Sequence, residues 1–182
     1  MVLSAHDVAA ELRRRMPGLP TVKLHKLLYY CQGHHLADLS EPLFAETITA
    51  WDMGPVVGEL WRAEKDGETP PPAKPLDEGA LNTIGYVMSR YGALTGNDLK
   101  HLTHAEMPWL RANKQRQPGR RVRIEAEWLA DYFRFEDTDP DDPTEIRLPP
   151  HVVSELLRDA THQPVGSGRP DTREELLARL HR

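Results

Sequence analysis

The chain has 182 residues, 39% of them hydrophobic and 7% aromatic, with a formal net charge of −5 at pH 7. That size and apolar content suit one core plus an appendage, and the negative balance argues against a general attraction to nucleic acid or acidic membranes. The single cysteine, Cys31, excludes an intrachain disulfide framework or a thiolate zinc cluster.

The first helix is marked by Ser4 and Asp7, spaced as a capping box, with Leu3 and Val8 placed as a hydrophobic staple. Val8, Leu12 and Met16 then follow one face until Pro17-Gly18 stops the helix. A second helix is expected over residues 21–37, where Leu24, Leu27, Leu28 and Cys31 repeat at the spacing of a buried stripe. Tyr30 and Gly33 let it pack on a second side, which makes it central, while His25 falls among Lys23 and Lys26 on the more polar side. Residues 47–51 suit a short strand. Gly54-Pro55 reads as a turn into a helix with proline in its first position, and Val56, Val57, Leu60 and Trp61 form the buried face of that helix.

Pro70, Pro71 and Pro72 place residues 67–75 in an exposed loop. Leu81, Ile84, Val87, Met88 and Tyr91 mark another amphipathic helix, closed by Gly92. Thr95 and Asp98 form a second capping box before Leu99 and Leu102, and Pro108 interrupts or re-caps the chain. Ile124, Trp128, Leu129, Tyr132 and Phe133 give the last strongly patterned helix. Beyond it, Asp139-Pro140-Asp141-Asp142-Pro143 reads as an acidic linker. Val152, Val153, Leu156 and Leu157 suit one small helix, and Leu176, Leu177 and Leu180 another. The expected architecture is mainly α: a compact domain of about six helices with a short strand or hairpin over residues 1–136, and a less ordered extension over residues 137–182.

Charge is unevenly spread. Arg111, Lys114, Arg116, Arg120, Arg121 and Arg123 form a basic stretch without an acid among them, followed by Glu136, Asp137, Asp139, Asp141, Asp142 and Glu145. A solvated loop and an acidic linker are the plain explanation. The basic stretch lacks interleaved aromatics and a preceding helix-turn-helix, so nucleic-acid binding is not expected.

Catalytic signals are scarce. Nine histidines invite a metal reading, and His101, His104 and Glu106 are the strongest set, yet they miss the His-Glu-x-x-His spacing of a metalloprotease. Cys31 lies on an apolar stripe with nothing to lower its pKa. No nucleophile elbow, P-loop or dinucleotide fingerprint occurs. The expectation is a protein without catalytic residues, metal or cofactor. No run of about 18 apolar residues and no basic-then-apolar leader occurs, so no membrane span and a cytoplasmic location are expected.

Three patches in order carry a resemblance. The first runs Lys23-Leu24-His25-Lys26-Leu27-Leu28-Tyr29-Tyr30-Cys31-Gln32-Gly33 and the second Ala50-Trp51-Asp52-Met53-Gly54-Pro55-Val56-Val57-Gly58-Glu59-Leu60. The third, after Tyr91-Gly92, runs Leu99-Lys100-His101-Leu102-Thr103-His104-Ala105-Glu106-Met107-Pro108-Trp109. Together they resemble the Panacea domain, also described as phage-associated GepA-like and SocA-like antitoxins, over roughly residues 4–135. The resemblance implies an antitoxin that neutralises a toxin encoded beside it by direct contact. One branch of the family delivers its toxin to an ATP-dependent protease. His34-His35 departs from the pattern, where an aromatic residue or Trp-His is expected. Trp51, Gly54, Pro55, His104, Trp109, Arg116, Arg120 and Arg121 are the candidate partner-binding residues, although the motif residues among them read first as scaffold, with Trp51 filling a core position. The alternative functions to be set against the antitoxin reading are a DNA-binding autoregulator of its own operon and an adaptor that delivers the toxin to an ATP-dependent protease, and a second copy of the chain is the other partner considered.

Overall fold

The computed structural model describes residues 3–117 and 121–136. Its elements in chain order are α1 (Ala5–Arg15), α2 (Thr21–Leu39), β1 (Ile48–Trp51), β2 (Gly54–Val57) and α3 (Gly58–Lys65), then α4 (Glu78–Tyr91), α5 (Gly96–Ala105), α6 (Met107–Lys114), β3 (Val122–Arg123) and α7 (Ala126–Glu136). The described residues thus form a mainly helical domain of seven helices with one small sheet. The expected linker and tail helices, and Arg120, lie outside the described residues.

Both capping boxes form. Ser4 and Asp7 close α1, Thr95 and Asp98 close α5, and each side chain answers the other's backbone N–H. Such caps satisfy N–H groups that the first helical turn leaves without partners. Gly18, at φ +78°, turns the chain out of α1 toward α2.

Helix α2 is the axis of the domain, with α1, α4, α5, α7 and β2 all packed on it. Its burial exceeds the apolar stripe in the sequence: Lys23, His25, Lys26, Gln32, His34 and His35 are buried as well. His25 is only 2% exposed, so the polar side expected there does not exist. The cause is distant polar groups that meet these side chains. Lys23 Nζ donates to Gly92 O over 2.6 Å at the end of α4, and Lys26 Nζ donates to Pro55 O over 3.0 Å. Gln32 brackets the backbone of Phe44, donating to its carbonyl and accepting from its N–H over 3.2 and 3.1 Å. His34 Nε2 lies 3.1 Å from the Tyr91 hydroxyl and His35 Nδ1 lies 2.9 Å from Thr83 Oγ1.

Around α2 the rings interlock. Tyr30 stacks on Tyr91 with centroids 3.9 Å apart, and Phe133 of α7 meets both Tyr29 and Tyr30 edge-on. Gly33 leaves the space that the Phe133 ring fills, because a Cβ there would overlap the ring.

The sheet has order β2-β1-β3, antiparallel throughout, with Trp51 opposite Gly54 and Ile48 opposite Val57. Gly54 to Val57 is therefore a strand and not a helix start. The β-branched Val56 and Val57 pair with Thr49 and Ile48, and the tight connection Asp52-Met53 closes a hairpin. Pro55 is tolerated because β2 is an edge strand. Helix α3 begins only at Gly58, and of the expected buried face Leu60 is buried whereas Trp61 is half-buried. Leu81 on α4 is 37% exposed, while Ile84, Val87 and Tyr91 carry the buried face.

Candidate functional site

Two layers meet at the hairpin. In the buried layer, Gly54 adopts φ +94°, and a Cβ there would come within 2.7 Å of Lys26 Cε and 3.0 Å of Thr103 Oγ1. Lys26 of α2, the Gly54-Pro55 start of β2 and Thr103 of α5 are thereby locked together. Thr103 Oγ1 itself donates back to Leu99 O at 2.9 Å, which settles the end of α5 internally. Just beyond, Glu106 separates α5 from α6 and accepts the Tyr30 hydroxyl over 2.7 Å. His104 stacks on Trp109 with centroids 4.0 Å apart and rings 11° from parallel. Each of the three sequence patches thus contributes to one knot of packing.

Burial shifts the ionisation of this layer. It lowers the Lys26 amine to about 7, with the Lys100 charge adding to the effect. It lowers His25 and His104 to about 4, assisted by neighbouring cations. Burial, then the Glu106 charge, raises the Tyr30 hydroxyl and keeps it a donor. Burial also pushes the Cys31 thiol up, away from the reactive thiolate form. Glu106 holds Tyr30 and His104 lies on Trp109. Among the described residues, no group of three His, Cys, Asp or Glu side chains is placed to hold a metal ion.

The outer layer is aromatic and cationic. Trp51 is half-buried on the outward side of β1, not in the core, because strand alternation turns Ile48 and Ala50 inward and Thr49 and Trp51 outward. Its Nε1 donates to Thr49 Oγ1 over 2.7 Å, Trp61 of α3 meets it edge-on at 5.0 Å, and the Arg121 guanidinium lies 4.2 Å from its ring. Lys65 Nζ lies 5.0 Å over Trp61 in turn. The row Lys65–Trp61–Trp51–Arg121 draws on α3, β1 and the approach to β3. At the hairpin tip the Asp52 carboxylate pairs with Arg116, and Met53 stands 49% exposed.

Of the candidate residues, Gly54, Pro55 and Trp109 are buried, His104 and Arg116 are half-buried, and Trp51 and Arg121 reach the outer face. Trp61, Lys65, Asp52 and Met53 join that face although none of them is among the candidate partner-binding residues. The i,i+4 spacing of Trp61 and Lys65 on α3 was the available signal.

Residues 24–110 match the family model described as Antitoxin SocA-like, Panacea domain. This segment is a Panacea domain. The matched span contains the whole buried knot and the Trp51–Trp61 pair, whereas Arg116 and Arg121 lie beyond it. No curated protein and no solved structure matches the chain. The Panacea domain is antitoxin-like, and among the described residues no helix is long and apolar enough to cross a membrane.

Proposed function

We propose that the chain is the antitoxin of a toxin–antitoxin pair, acting in the cytoplasm and neutralising its cognate toxin by direct protein–protein binding rather than by catalysis. The match of residues 24–110 to an antitoxin domain carries this reading. The buried state of the single thiol and the engagement of Glu106 with Tyr30 fit a binding role, since these groups serve the packing of the domain. The partner is the product of the adjacent gene. Expression of that product alone should arrest growth, and co-expression with this chain should restore it. A harmless neighbour, or a toxic one that this chain leaves unchecked, would remove the reading.

A further inference from the structure

We propose that the outer face of the β1–β2 hairpin, built on Trp51, Met53, Trp61, Lys65, Arg116 and Arg121, is the surface that receives the partner protein. The segment it receives is acidic, with an apolar side chain beside its carboxylates. This rests on the antitoxin reading and names the surface and chemistry of that contact.

Trp51 is preorganised as an anchor. Its hydrogen bond to Thr49, the edge of Trp61 and the Arg121 guanidinium fix the indole before any partner arrives. Little side-chain freedom is therefore lost on binding, and aromatic and arginine anchors of this kind carry most of an interface's energy. Met53 at 49% exposure adds an adaptable apolar contact at the tip.

The charges select the partner. Cations stand at both ends of the tryptophan row, and Arg116 lies next to it at the tip. The Asp52 carboxylate, whose side chain is 89% exposed, already sits on Arg116. That pair shows that the Arg116 guanidinium accommodates a carboxylate at this tip. Each indole carries a cation over its ring, so the face offers guanidinium and ammonium groups where a base-stacking platform would offer bare rings. The net charge of −5 opposes a long phosphate backbone. A short acidic segment senses mainly the local field, because screening cuts off charge effects beyond about 8 Å at physiological salt.

The test uses the full chain and the purified product of the adjacent gene, with calorimetric titration and co-expression growth read in parallel. Trp51→Ala should weaken binding about 30-fold or more, and Met53→Asp and Arg121→Glu about tenfold or more each. Leu81→Asn, on the exposed side of α4, which packs on α2 rather than on the sheet, should stay within about twofold. Thermal melts establish that each variant is folded. If Trp51→Ala fails to fold, the other two substitutions still decide. Protection by the wild-type chain that survives undiminished in all folded hairpin variants would overturn this inference and leave the antitoxin reading standing. No protection by the wild-type chain would overturn both. Binding of duplex DNA or of RNA that Arg121→Glu abolishes, with toxin binding unchanged, would reassign the face to nucleic acid and overturn the inference.

Discussion

The Tyr30 hydroxyl donates to the Glu106 carboxylate over 2.7 Å, joining the middle of α2 to the break between α5 and α6. Both residues are buried, at 0% and 6% exposure, and they lie 76 positions apart in the chain. Removing the hydroxyl takes a donor from a buried carboxylate. Tyr30→Phe is therefore expected to cost about 1–3 kcal/mol in chemical denaturation. A change below about 0.5 kcal/mol would mean that the bond contributes little beyond ring packing.

The close approach of α2 and α7 depends on Gly33. A Cβ there overlaps the Phe133 ring, so Gly33→Ala is expected to destabilise the domain by about 1–3 kcal/mol through overpacking. Phe133→Leu in the same chain shortens the obstructing ring and should recover part of the loss. A double-mutant cycle with no favourable coupling would contradict the packing argument.

Acid should weaken the fold before its carboxylates titrate. His25 and His104 are held at about 4, chiefly by burial, against 6.5 for an ordinary ring. Between those values the unfolded chain binds more protons, so stability falls as pH drops from about 6.5 to 4, by up to ~1.4 kcal/mol per pH unit for the buried His25 ring and by less for the half-buried His104. Glu11, held at about 2 by Arg14, acts in the same direction only below 4.5. Denaturation midpoints at pH 7, 6, 5 and 4 should decline in the wild type. The decline should be shallower in His104→Asn, and an equally steep one would refute the assignment.

Lys26 should give the opposite end of the same profile. Its buried amine is held at about 7 against 10.5 when free. Between these values the unfolded chain again carries the extra proton, so the cost of burying Lys26 is full below about 7 and fades as pH rises toward 10.5. Stability followed from pH 7 to 10 should therefore contain a rising component that Lys26→Met lacks. Parallel curves for the two proteins would exclude Lys26 as its source.

Much of the helical framework was legible because its signals are local. Ser4 with Asp7 and Thr95 with Asp98 announce helix starts within four residues. The stripe Leu24, Leu27, Leu28, Cys31 fixes the inner face of α2. What escaped was decided by distant partners. Lys26 reads as a surface cation until Pro55 O, 29 positions away, meets it. Gly54-Pro55 carries good helix-start chemistry, yet pairing with Trp51 and Ala50 makes it an edge strand. The two residues of β3 have no pattern of their own and exist through Thr49 and Ala50. At the candidate site, Trp51 and Arg121 were named from the sequence, but the contacts of Arg121 with Trp51, of Trp51 with Trp61 and of Trp61 with Lys65 depend on how α3 and β3 flank the hairpin.

The place of α7 bears on where the gene can be cut. This helix lies beyond the matched span of residues 24–110 and α1 lies before it, yet both pack on α2, and α7 sets Phe133 against its central rings. A fragment trimmed to the recognisable motif would lose Phe133 and uncover the side of Tyr29, Tyr30 and Gly33 on which that ring packs. Expression trials, fusion junctions and domain swaps should therefore keep residues 3–136 together, because the packed unit is longer at both ends than the stretch by which it is recognised.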